Sequence, residues 1–72
     1  MTYEEERDIR IYRAERALRY DLTGFALLKP LAEIDGVVNP GVVDSLGGLI
    51  RNLRREMEAL RALGVDVSIK FD

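Results

Sequence analysis

Six apolar residues, Val43, Leu46, Ile50, Leu53, Met57 and Leu60, recur at spacings of three, four, three, four and three. Only an α-helix brings such positions onto one stripe, and a seven-residue repeat sustained this far is the seam along which one helix lies against another. Leu49 and Leu63 widen the stripe. Asn39 suits the N-cap, Pro40 the first helical position and Gly64 the exit, so the spacing predicts a helix over about residues 40–63. Gly47 and Gly48 weaken it from within, by about 1 kcal/mol each relative to alanine.

A seam needs a partner, and the first third of the chain supplies one. Thr2 followed three residues later by Glu5 is a capping-box pattern, and Glu4, Glu5 and Glu6 put negative charge on the positive end of the helix dipole. Ile11, Ala14, Leu18, Leu22 and Phe25 then share one face. A thinner apolar group, Ile9, Tyr20, Leu27 and Leu31, lies roughly opposite. The expected helix covers about residues 3–22. Gly24 and Pro30 predict a break within 23–30, then a short helix over 30–35 with Gly36 as its exit.

Residues 65–71 alternate apolar and polar side chains without a fault, the period-two signature of a half-buried strand. Nothing else in the chain reads as a full strand, since Val37 and Val38 offer at most two rungs. A lone strand leaves backbone groups unpaired, so Val65, Val67, Ile69 and Phe71 are expected to pair with the same strand of a second copy or to add to a partner's sheet. Size argues the same way. The chain has 72 residues, no cysteine and no histidine, so a disulfide is excluded and a structural zinc site lacks its usual ligands. Oligomerisation is the simplest remaining means of stabilising so small a core. The expected fold class is mainly α: a single domain over 1–72, with two long antiparallel helices joined by a short helix and one C-terminal strand, closed as a homodimer.

Composition narrows the function. A net charge of −2 gives no general pull toward nucleic acid or anionic lipid. No run approaches the ~18 apolar residues of a membrane span, and the acidic start is unlike a signal peptide, so a cytoplasmic location is expected. Without His or Cys, the groups left for catalysis are carboxylates, tyrosines, two lysines and a few hydroxyls. The acids at positions 4–8 are explained by dipole compensation. Gly47-Gly48 follows no strand and precedes no Lys-Ser or Lys-Thr pair, so it is not a phosphate loop. No catalytic, cofactor-binding or metal-binding residues are expected.

The most unusual feature is a ladder of arginines three residues apart, Arg7, Arg10, Arg13, Arg16 and Arg19, interleaved with Tyr12 and Tyr20. Steps of three drift by about −60° each, so the ladder winds obliquely round the helix. A plain solvated face would have this look. Arg and Tyr are also the residue types that most often anchor protein interfaces. On that reading Arg10, Tyr12, Arg13, Arg16, Arg19 and Tyr20 form a partner-binding face.

Residues 31–46 resemble a helix-turn-helix: Ala32, Gly36, Val37, Val42 and Leu46 fall where that pattern has its small, turn and apolar positions. The resemblance implies a small DNA-binding transcriptional regulator. Its recognition helix would offer Asn39, Pro40, Gly41, Val43, Asp44 and Ser45 to the groove, with no Arg, Lys or Gln for base edges. The first expectation is therefore a non-catalytic protein–protein interaction module, an adaptor, inhibitor or regulator acting as a homodimer. DNA binding is the second.

Overall fold

The cap expected at the start of the chain forms in full. In the computed structural model, which describes residues 2–69, the Glu5 N–H donates to Thr2 Oγ1 at 3.2 Å and the Thr2 N–H to Glu5 Oε2 at 3.4 Å. From this cap the first helix, α1, runs Tyr3–Leu28 without interruption. The expected break within 23–30 does not occur. Gly24 lies inside α1 against Leu49, and a methyl group added there would meet the leucine at an ordinary 3.7 Å. Burial against the second helix offsets the weak propensity of the glycine, and the helix ends only where Pro30 removes a donor.

The expected short helix at 30–35 is replaced by two smaller elements. Lys29–Leu31 is a single 3₁₀ turn. A two-residue hairpin follows, with β1 Glu33–Ile34 antiparallel to β2 Val37–Val38. Asp35 and Gly36 both have positive φ, 52° and 78°, which is the backbone of a tight hairpin turn and not of a helix exit. The segment that resembles a helix-turn-helix thus holds a 3₁₀ turn and a hairpin where that motif needs its first helix and its turn.

The second helix, α2, spans Pro40–Ala62, one residue short of expectation. Asn39 Oδ1 accepts from the N–H groups of Gly41 and Val42 at 3.1 and 3.3 Å. At the other end the Val65 N–H donates to the Leu60 carbonyl and the Gly64 N–H to that of Arg61, the paired bonds of a Schellman cap with Gly64 at its left-handed position, φ 87°. Arg7, in the second turn of α1, donates through Nε and Nη2 to the Leu63 carbonyl. The start of α1 therefore sits beside the end of α2, and the helices are antiparallel.

Leu18, Leu53, Met57 and Leu60 are the buried core among the described residues, with Ile11, Ala14, Leu22 and Phe25 of α1 packed around it. Val65, Val67 and Ile69 pack against the same core. Their alternation is real, inward and outward by turns, but residues 65–69 form no strand. Side chains that can bury against the helix pair need no ladder, and Arg61 Nη2 holds the segment by donating to the Val67 carbonyl at 2.8 Å. Of the four residues expected to pair across a two-fold axis, Val65, Val67 and Ile69 pack on the core of their own chain, and Phe71 lies outside the described residues. Among the described residues, no helix is long and apolar enough to cross a membrane.

The hairpin measures 54 × 17 × 14 Å. Its interior glycines weaken it without a packing reason at Gly47, where an added methyl group would meet nothing within 4 Å. Gly47→Ala should raise stability by about 0.5–1 kcal/mol, read as a higher urea midpoint at unchanged slope.

Candidate functional site

Tyr20 and Asp21 sit two-thirds of the way along α1, and the surface around them is concave on both sides. Toward the N-terminal half of α1 they close a cleft of about 480 Å³ together with Arg13, Arg16, Ala17 and, from α2, Glu56. Toward the connection they line a second hollow of about 330 Å³ with Thr23, Gly24, Leu27, Leu28 and Leu49. Because Tyr20 and Asp21 belong to both, the two open hollows adjoin there as a shallow groove, with Arg13 and Arg16 at one end and Leu27, Leu28 and Leu49 at the other. Gly24 opens its floor, since a bulkier side chain there would fill the space over Leu49.

The six residues expected to bind a partner are all exposed on α1. The structure divides them. Arg13, Arg16 and Tyr20 line the groove. Arg10 lies with Glu6 and Ile9 in a smaller dent that shares Arg13, and Tyr12 and Arg19 flank Glu15 in another that shares Arg16. This is the oblique winding expected of a three-residue spacing. Arg7, the first rung, is occupied at the α2 terminus.

No protein-family profile, curated protein or solved structure matches this chain. The groove must be read from its own chemistry.

The sequence reading missed its acidic pair. Glu56 falls three residues after Leu53 and four before Leu60, on the rim of the seam. Asp21 follows Leu18 by three on α1, so helix packing brings the two carboxyls together. Glu56 Oε2 is shut off from water with no hydrogen-bond partner. Burial pushes the Glu56 carboxyl up from 4.5 to about 7. The neighbouring Asp21 carboxyl adds to the shift, and Arg55 opposes it. The rim position was legible, but the meeting with Asp21 depends on how the helices register, which one sequence does not display.

This pair gives the fold a pH dependence of definite sign. The folded value lies above the unfolded one, so the native state holds a proton that the unfolded chain releases. Stability is then greatest on the acid side and falls as pH rises from about 4.5 to about 7. Urea midpoints should be lower at pH 8 than at pH 5, by the equivalent of about 1–2 kcal/mol after screening by solvent. Glu56→Gln should remove most of that difference.

Proposed function

We propose that this chain is a non-catalytic protein–protein interaction module, a small adaptor, inhibitor or regulator that works as a homodimer and presents the Arg/Tyr face of α1 to a protein target. The observation that carries the reading is the groove through Tyr20. It sets two arginines and a tyrosine beside an apolar hollow, the combination that anchors interfaces: large amphipathic side chains next to a surface that gains from losing water. The low net charge and the lack of basic donors at the start of α2 favour a protein over a duplex.

Reversal of Arg13 and Arg16 to Glu tests this. Both side chains are exposed, so helicity and melting should be retained, while capture of a target by the tagged protein from lysate of the source cell should fall at least tenfold. Capture unchanged by the reversals would sink the assignment. So would tight duplex binding at physiological salt that survives them.

A further inference from the structure

The arginines and the carboxyl pair line one cleft but stand at different depths in it. Arg13, Arg16 and Tyr20 are exposed, whereas Asp21 and Glu56, one from each helix, are half-buried. Glu56 Oε2 has no contact with water at all. A molecule entering the cleft therefore meets two guanidinium groups first, and the recessed carboxyls set the background charge on which those cations act. The groups lining the cleft with Glu56 are Asp21, Arg13, Arg16 and the Tyr20 phenol, all from α1, and Arg55 acts on it from α2. Among the described residues, nothing from the 3₁₀ turn, the β-hairpin or residues 65–69 lines the cleft. With a proton on the pair, Arg13 and Arg16 set two positive charges against one negative. Without it the count is two against two. The proton leaves near pH 7, and histidine, the side chain that ordinarily titrates there, is absent from the chain.

We propose that the Arg13–Arg16 end of the groove takes an acidic segment of the target protein, and that the Asp21–Glu56 pair controls its hold: the segment binds while the pair keeps a proton and loosens when that proton leaves. This deepens the interaction reading above and rests on it. Charge complementarity identifies the occupant. A guanidinium fork matches a carboxylate with two parallel hydrogen bonds. A basic segment would have to pass the exposed arginines to reach carboxyls set back behind them. A nucleic acid would bring a row of phosphates against a chain of net charge −2. The coupling runs both ways, so a carboxylate that favours the protonated pair must draw a proton from solution as it binds.

Fluorescence anisotropy with a rhodamine-labelled octa-aspartate peptide as probe, and octa-lysine as its control, tests the inference. At low ionic strength octa-aspartate should bind about three- to sevenfold more tightly at pH 6 than at pH 8, the effect of one charge at roughly 7 Å in a largely aqueous surround. Circular dichroism at both pH values restricts the comparison to folded protein. Glu56→Gln keeps the shape of the protonated carboxyl, so it should retain the tight affinity and lose most of the pH dependence. It leaves the amino terminus, which also changes charge in this range, as it was. Arg13→Gln with Arg16→Gln should abolish binding at both pH values. Calorimetry at pH 7 in two buffers of different ionisation enthalpy should show proton uptake on binding, and little of it in Glu56→Gln. No binding of octa-aspartate at pH 6, tighter binding of octa-lysine or of a DNA duplex, or a pH dependence that survives Glu56→Gln would each overturn the inference. Target capture that needs Arg13 and Arg16 but is equal at pH 6 and pH 8 would defeat only this inference. Proton-coupled binding of octa-aspartate by a chain that captures no target would defeat only the proposed function.

Discussion

Leu53→Ala should cost about 2–5 kcal/mol, the range for truncating a leucine in a core that relaxes only in part. Leu53 has no accessible surface and lies in the buried cluster with Leu18, Met57 and Leu60, so the cavity opens where α1 and α2 meet. A single core of this size rarely supplies more than about 3–5 kcal/mol. The variant should therefore be largely unfolded at low concentration, with helical circular dichroism lost at 25 °C or recovered only in stabilising salts. Leu60→Ala, equally buried, should behave alike. A urea midpoint unmoved by either substitution would show that the helices meet along another face.

Gly64→Ala should be the most damaging change outside the core, at about 1–3 kcal/mol. Two costs combine. An L-residue at φ 87° is strained by roughly 1–2 kcal/mol. The new methyl group would also lie 2.9 Å from Arg7 Nη2, and the guanidinium can withdraw only by giving up its bonds to the Leu63 carbonyl. That contact is a charge-assisted bond at the negative end of the α2 dipole. The two positions should therefore be coupled. In an Arg7→Ala background Gly64→Ala should cost less, leaving mainly the backbone strain, and a double-mutant cycle by urea denaturation measures the difference. Strict additivity would mean that Arg7 and Gly64 do not interact in solution.

Both helices were legible wherever a local rule had no competitor. Thr2 with Glu5, Asn39 with Pro40, and Gly64 mark ends that the structure keeps, and the seam residues Leu53, Met57 and Leu60 are the buried ones. Misreadings came where two rules met. Gly24 has the look of a stop, but Leu49 packs over it and α1 continues. Asp35-Gly36 is both a plausible helix exit and the strongest short hairpin signal, and the flanking valines decide for the hairpin. In residues 65–69 the alternation recorded which side chains face inward, while strand formation depended on a ladder that the chain does not supply there. Of the groove, Arg13, Arg16 and Tyr20 were visible as residue types. Asp21 with Glu56 was not, because proximity across two helices is set by packing.

The fully buried side chains sit away from the connection, and this bears on how the chain closes. A hairpin with its core beside the turn can zip outward from it, each new contact closing a slightly larger loop. Here the buried cluster joins Leu18 to Leu53, Met57 and Leu60, enclosing about 35 residues at once, and closure costs about 1.5 kcal/mol more than for a six-residue loop. Helical turns form locally and early, but near the turn only partly buried contacts, such as Gly24 against Leu49, reward their meeting. The rate of folding is then governed by encounter at the far end, so a shorter link between α1 and α2 should speed folding without altering a single buried atom.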